Sequence, residues 1–128
     1  MINYFLISEF EKDFKKLLKK FRTLEKDFEI MKKSLLEPYF CQGIPFSTKA
    51  IIDIEGFCNE NYLSKKVRKV ACASLKNKGG FSGLRVIFVY EKLEKKITFV
   101  EIYFKGEKEN EDRTRLQSFI KTLQNSEL

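Results

Sequence analysis

The chain has 128 residues, an apolar share of 43% and a formal net charge of +7 at pH 7. This length suits one domain spanning residues 1–128, and the apolar share excludes an intrinsically disordered protein. No apolar run approaches the roughly 20 residues that span a bilayer, so the sequence predicts a protein without membrane spans.

The first residues and the cysteines predict a cytoplasmic protein. The opening MINYFLISEF lacks the basic region of a secretory signal. Cys41, Cys58 and Cys72 form no closely spaced pair, which fits a reducing compartment better than a disulfide framework, and we expect Cys72 to be buried. Because the chain has no histidine and no CxxC motif, we expect neither a metal site nor a cofactor.

The N-terminal third predicts a strand and two helices. Residues 2–7 are rich in β-formers, and Ser8 with Glu11 has the spacing of a capping box at a helix start. Apolar residues then recur at helical spacing, with lysines between them. Thr23 is a candidate N-cap of the second helix, which we expect to end before Pro38 because proline disfavours helix in the preceding residue. Helices joined so tightly form a hairpin that covers a sheet.

The C-terminal half predicts three strands and a last helix. Residues 66–74, 83–91 and 96–105 are rich in β-formers, and the short polar connection between the last two favours an antiparallel hairpin. Asn110 is a candidate cap of a final helix, whose apolar positions are Leu116, Phe119, Ile120 and Leu123. The stretch 38–64 is typical of a loop with a turn of helix or a short strand. The predicted fold is α+β: a twisted antiparallel sheet with an N-terminal helical hairpin packed on one face and a C-terminal helix.

The excess positive charge lies in one segment. Residues 61–90 contain seven basic residues and no acidic one, whereas the rest of the chain carries equal numbers of both signs. The seven are Lys65, Lys66, Arg68, Lys69, Lys76, Lys78 and Arg85. A block of one sign on ordered structure favours a polyanion as partner, nucleic acid above all, although an acidic protein would satisfy it too.

Strand alternation predicts the direction of Arg85. In the strand 83–91 it lies on the face opposite to the apolar set Leu84, Val86, Phe88 and Tyr90. Alternation divides the strand 96–105 into a set under the helices, Val100, Ile102 and Phe104, and an opposite set, Phe99, Glu101, Tyr103 and Lys105. We therefore expect Arg85 and Lys105 on an uncovered face, at one edge of the sheet.

The segments VRKVACASLKNKGGFSGLRVIFVY and ITFVEIYFKGEKENED resemble the second half of RelE-type toxins, the ribosome-dependent mRNA endonucleases of toxin–antitoxin pairs. The shared pattern is a basic strand, a Gly-containing loop that enters a G-x-R strand, and an apolar strand that ends in a basic residue. The strand and basic helical hairpin at the start agree with this family as well. The resemblance covers nearly the whole chain and implies a RelE-like fold.

The resemblance implies roles for the basic segment. Arg85 matches the arginine that contacts the scissile phosphate. Lys66 and Arg68 match the alternating basic residues that bind RNA and assist proton transfer. The other cations of this segment expected to bind RNA are Lys69, Lys76 and Lys78.

The resemblance also implies roles for residues after the last strand. Lys105 resembles the basic residue at the end of that strand, and Lys108 is a further RNA-binding candidate. Some family members carry a proton-transfer tyrosine near the C-terminus, whereas this chain has none after Tyr103. Glu109 is the candidate substitute.

The implied function is a ribosome-dependent mRNA endonuclease. The 2′-OH of mRNA in the ribosomal A site attacks the adjacent phosphate in line, no metal is required, and a cognate antitoxin protein neutralises the enzyme. Since histidine is absent, the base is left open among Lys66, Lys76 and Lys78, because neighbouring cations favour loss of a lysine proton. The apolar residues in 39–46 and 51–57 are candidates for the antitoxin contact.

Three alternatives stay open. ParE-type toxins share this architecture but act on DNA gyrase and need no basic catalytic cluster. A non-catalytic basic module would bind RNA or ribosomes without cutting. A plain α+β domain would dock an acidic protein through the basic segment.

Overall fold

The computed structural model describes residues 2–44, 50–74 and 82–126. Its sheet has five strands: β1 (Asn3–Leu6), β2 (Ile51–Asp53), β3 (Tyr62–Val67), β4 (Leu84–Glu91) and β5 (Lys96–Phe104). They lie side by side in the order β1-β5-β4-β3-β2. The four strands from β2 to β5 are antiparallel to their neighbours, whereas the edge strand β1 is parallel to β5. The expected α+β fold is present, with a parallel edge strand that the sequence did not indicate.

Helices cover both faces of this sheet. The hairpin consists of α1 (Ser8–Lys20) and α2 (Leu24–Met31), and a π-helical segment (Lys32–Leu36) leads from α2 into α3 (Glu37–Gln42). The last helix is α4 (Arg113–Ser126). We call the side of the sheet under α1 and α2 the hairpin face, and the side under α4 the α4 face.

Each face has its own apolar core. On the hairpin face the rings of Phe10 and Phe28 lie 5.6 and 4.8 Å from the ring of Phe99. On the α4 face the buried side chains of Leu116 and Ile120 pack in a cluster with residues of β4 and β5. Burying one such aliphatic side chain contributes about 1.5–3 kcal/mol, so α4 is fixed mainly by this stripe, at the apolar positions predicted for it.

Two helix starts, those of α1 and α4, differ from the capping predictions, whereas α2 follows directly after Thr23, as predicted. The capping box is wrong: α1 begins at Ser8 itself, after Ile7, and the Ser8 hydroxyl donates to Glu9 Oε1 at 2.9 Å. Ile7 is still bound to the sheet, because its N–H donates to the carbonyl of Phe99 at 3.3 Å, and this fixes where the helix can start. Helix α4 is capped by Asp112 and not by Asn110, since Asp112 Oδ1 accepts the N–H of Arg115 at 3.0 Å.

The helical segment does not end before Pro38, so that prediction is wrong. The π-helical turn widens the backbone over one turn, and Pro38 then falls in the first turn of α3, where a missing N–H leaves no hydrogen bond unmade. The segment ends instead at Gly43, whose φ of 70° suits glycine.

Strand β3 lies further towards the N-terminus than predicted. It pairs with β4 from Tyr62 opposite Glu91 to Val67 opposite Val86, so most of the predicted strand 66–74 follows β3 and is not part of it. The chain leaves the ladder at Arg68, whose N–H donates to the carbonyl of Ala50 at 2.7 Å.

A β-bulge in β5 changes the faces that simple alternation predicts. Phe99 pairs with Phe88, but Glu101 pairs with Ile87, so Val100 is an extra residue in β5. As a result Phe99 lies in the hairpin-face core and Val100 in the α4-face core, the reverse of the prediction. Beyond the bulge Ile102 is on the hairpin face and Tyr103 on the α4 face, as predicted.

Two further properties concern the described residues only. Among them no helix is both long enough and apolar enough to cross a membrane. The cysteines are free thiols, with Cys41 and Cys58 exposed and Cys72 buried, as predicted for Cys72.

Candidate functional site

Arg85 lies near the start of β4 on the α4 face, directly opposite Tyr103 of β5. We expected that face to be uncovered, but α4 packs over its middle. The Arg85 side chain is half-buried, and its Nη1 donates to the carbonyls of Arg68 at 3.1 Å and Leu84 at 3.2 Å. Within the described ranges Nε and Nη2 make no hydrogen bond, which leaves two neighbouring donors for an anion such as phosphate.

Tyr103 supplies a phenol beside this guanidinium. Burial, together with the nearby carboxylates of Glu111 and Glu101, raises the pKa of Tyr103 to about 12, against the opposing effect of Arg85. The Nζ of Lys108 lies 5.6 Å from the centre of the Tyr103 ring. At neutral pH Tyr103 is therefore a protonated hydroxyl that can donate a hydrogen bond or a proton.

Glu101 is a buried carboxylate that the bulge directs to the α4 face. It accepts a short hydrogen bond from Lys108 Nζ, and it accepts the backbone N–H of Asp112 at 2.7 Å. These bonds offset the cost of removing a carboxylate from water. They also hold the segment between β5 and α4 against the sheet.

A second buried carboxylate, Glu111, pairs with Lys66 of β3. Lys66 Nζ lies 3.0 Å from Glu111 Oε2, and the two side chains are 14% and 5% exposed. Burial acts against the charged form of Glu111, but hydrogen bonds from the backbone and from Lys66 keep its pKa below the usual range. A lysine base was expected among crowded cations, whereas Lys66, the one of the three candidates that the structure describes, is paired with this carboxylate.

The basic segment is less one-sided in the fold than in the sequence. Lys65 points to the hairpin face, where its Nζ lies 2.5 Å from Asp53 Oδ1 of the neighbouring strand. Two of the seven cations, Lys65 and Lys66, therefore pair with carboxylates that come from outside the segment. The excess positive charge on the α4 face is therefore smaller than seven basic residues suggest. It depends mainly on Arg85 and on the residues around it.

The other sequence candidates differ in their placement. Arg68 is half-buried and Lys69 exposed, both directly after β3. Lys105 is exposed after β5, and its N–H donates to the carbonyl of Gly83 at 2.8 Å, which puts it at the edge of the sheet where Arg85 lies, as expected. Glu109 is exposed and makes no hydrogen bond with the described residues. The two candidates Lys76 and Lys78 lie outside the described residues.

Tyr103, Glu101 and Glu111 were not among the sequence candidates. Tyr103 and Glu101 did share the predicted face of Arg85, so strand alternation carried a usable signal for both. Glu111 had none, because its approach to Lys66 depends on the path of the chain after β5, which the bond from Asp112 to Glu101 sets.

In the ranges 2–44, 50–74 and 82–126, no three side chains of His, Cys, Asp or Glu lie close enough together to bind a metal ion. The described side chains on the α4 face offer a guanidinium, ammonium groups, a phenol and two carboxylates.

Comparison with known proteins gives one structural relationship. No protein-family model matches the chain, and no curated protein matches its sequence. The fold is similar to a chain in the crystal structure of the archaeal RelE–RelB complex from Pyrococcus horikoshii OT3, with a TM-score of 0.51. The match covers 82% of this chain and 96% of that one at 14% sequence identity. It confirms the RelE-type fold expected from the sequence; at this identity it establishes the fold alone.

Proposed function

We propose that this protein is a toxin of the RelE type: a ribosome-dependent endonuclease that cuts mRNA by attack of a 2′-OH on the adjacent phosphate. The observation that carries the proposal is the pair of open donors on Arg85, Nε and Nη2, placed opposite the protonated phenol of Tyr103 on a sheet with this fold.

Arg85 is assigned to the scissile phosphate. In-line attack transfers the 2′-OH proton to a base, for which Lys66, Lys76 and Lys78 stay the candidates, and the new bond to phosphorus builds negative charge on the non-bridging phosphoryl oxygens. A guanidinium binds two of these oxygens through parallel N–H bonds. The bonds from Nη1 to two carbonyls hold the group in place before RNA arrives. Lys66, Arg68 and Lys105 are assigned to the flanking RNA backbone, with Lys69 and Lys108 as outer ligands.

Tyr103 is assigned to the leaving group. When the bond from phosphorus to the 5′ oxygen breaks, that oxygen needs a proton, and a phenol with a raised pKa still carries one at neutral pH. This assignment replaces Glu109, whose side chain is exposed and without a partner in the described part of the chain.

A protein partner follows from the same proposal, since a nuclease of this kind would harm its own cell. The structurally similar chain was crystallised as a RelE–RelB complex. By analogy we propose a cognate antitoxin for this chain. Of the apolar residues expected at that contact, Ile51 and Ile54 are buried in the core and cannot serve, whereas Ile44 is exposed.

The experiment uses the purified chain in a translating extract, with the ends of a reporter mRNA mapped after incubation. Arg85→Ala is compared with Arg22→Ala, which removes the same charge from the exposed turn between α1 and α2. The same RNA without translation runs alongside. We expect cuts at codon-spaced positions that require translation, persist in Arg22→Ala and disappear in Arg85→Ala.

Other outcomes identify the alternatives. Intact mRNA with inhibited supercoiling by DNA gyrase would favour a ParE-type toxin. Intact mRNA with slowed translation would favour a non-catalytic ribosome-binding module. Cuts that persist in Arg85→Ala would overturn the assignment of this residue to the phosphate.

A further inference from the structure

We propose that Glu111 occupies, in the RNA-free protein, the place at Lys66 that an RNA phosphate takes in the complex. The carboxylate would thereby lower the affinity of the site for RNA and reduce its salt dependence. This inference rests on the proposed function, because it assumes that RNA binds on the α4 face.

The contact between the two residues blocks access to the ammonium. Nζ and Oε2 are 3.0 Å apart, and only 14% of the Lys66 side chain is exposed. Glu111 is the acidic partner that the described residues offer to Lys66. A phosphate can therefore reach Lys66 only by displacing the carboxylate.

The attachment of Glu111 is of a kind that a polyanion can compete with. Glu111 is anionic at neutral pH, since its pKa is below the usual range despite burial. Its further cationic neighbour, Arg113 Nη2, is 4.0 Å away, at the limit of an ion pair. The residues before it, 105–110, are exposed and are held to the rest of the protein partly by the ion pairs of Lys108 with Glu101 and Glu107 with Lys20. Exchange of one anion for another at Lys66 leaves the sheet intact.

The test is RNA binding in a salt series, measured as the anisotropy of a short fluorescein-labelled oligouridine. Removing the competing charge with Glu111→Gln should tighten binding about threefold to tenfold, because a phosphate then no longer has to displace a carboxylate from Lys66. The slope of log K against log salt should steepen by about 0.7, the value for one further phosphate contact on a single strand.

The matched control is Asp53→Asn. It raises the net charge by the same single unit and also removes a carboxylate partner of a lysine, but Lys65 lies on the hairpin face. Asp53→Asn should therefore leave the salt slope unchanged. Circular dichroism and thermal unfolding of each variant verify that the fold is retained.

A double-mutant cycle with Lys66→Gln tests the mechanism even if one variant is less stable. Lys66→Gln should weaken RNA binding more in the Glu111→Gln background than in the wild type, because only there does Lys66 bind phosphate without competition. Equal effects in the two backgrounds, or weaker binding by Glu111→Gln, would overturn the inference. Arg85→Ala separates this failure from that of the proposed function. Loss of RNA binding in Arg85→Ala would support the α4 face as the RNA-binding surface, and unchanged binding would exclude it.

Discussion

At the residue scale, the guanidinium of Arg85 shows how a half-buried cation can be held in place and still have donors for a ligand. One nitrogen is bound to two backbone carbonyls, and among the described residues nothing binds the edge formed by Nε and Nη2. A lysine in this place could not combine these two properties, because its single ammonium cannot both bind the backbone and present a second, planar pair of donors. The two carboxylates nearby do not neutralise Arg85 directly, since Glu101 binds Lys108 and Glu111 binds Lys66.

The raised pKa of Tyr103 makes a prediction about stability at high pH. A tyrosine with a pKa of 10.0 when unfolded and about 12 when folded keeps its proton longer in the folded state. Its contribution is fully present below pH 10 and is lost as the pH rises towards 12, on the order of 2–3 kcal/mol in all. Tyr103→Phe cannot ionise and should therefore lose less stability over this range than the wild type.

The measurement is urea denaturation of both proteins at several pH values from neutral to about 12. The difference between the two curves isolates Tyr103 from Tyr4 and Tyr90, whose pKa values burial also raises. Parallel loss of stability in both proteins would contradict the predicted pKa shift. The same variant tests the proposed chemistry, because removing a proton donor should slow cleavage about 100-fold or more while RNA binding is retained.

At the element scale, the long strands β4 and β5 were predictable, whereas the position of β3 and the irregular turn before Pro38 were not. β4 and β5 were placed nearly to the residue, because each is a long apolar run bounded by glycine or by polar turn residues. β3 was placed four or more residues too late, because YLSKKV and KVRKVACAS have similar strand propensity and only the pairing with β4 selects between them. The turn of π-helix that lets the chain pass Pro38 has no signal in apolar periodicity.

The candidate site followed the same division. Arg85, Lys66 and Lys105 could be named as candidates from the sequence, since strand position and charge are local properties. The pairing of Lys66 with Glu111 joins residues 45 positions apart, and Glu111 lies in the stretch between β5 and α4, which has no helix or strand. No local pattern encodes such a contact.

The bulge in β5 gives a prediction for two single-residue deletions. Phe99 pairs with Phe88 and Glu101 with Ile87, so removing the residue between them, Val100, would make the ladder regular. Every other side chain of β5 would keep its face. The cost is one buried valine, about 1.5–3 kcal/mol. Deletion of Ile102 would turn Tyr103 from the α4 face into the hairpin-face core.

Thermal unfolding followed by circular dichroism compares the two deletions. The protein lacking Val100 should unfold cooperatively at a reduced temperature, and the protein lacking Ile102 should show no cooperative transition. If both deletions unfolded alike, the bulge would not be what sets the two faces of β5.

At the scale of the whole molecule, the sheet separates a paired structural cation from the charged residues of the proposed site. On the hairpin face the buried cation Lys65 is matched by Asp53 in the next strand. On the α4 face the guanidinium of Arg85 keeps open donors, beside cations whose carboxylate partners come from the chain around and after the end of β5. The proposed anion-binding surface therefore lies on one side of the sheet, next to the start of α4, while the larger apolar core lies on the hairpin face.

This arrangement predicts the effect of the protein on a cell that makes it without a partner. Induced expression in a bacterial host should arrest growth, because mRNA would be cut during translation. Arg85→Ala should relieve the arrest, whereas Arg22→Ala, with the same net charge, should not. Growth curves and cellular protein levels, measured together for the three proteins, separate loss of activity from loss of expression.

Arrest that persists in Arg85→Ala with intact mRNA would show that another surface causes the toxicity, and tolerated high expression of the wild type would count against a toxin altogether. Co-expression of a neighbouring small gene that restores growth and co-purifies with the chain would identify the antitoxin, and its protection of mRNA would place the partner over the α4 face.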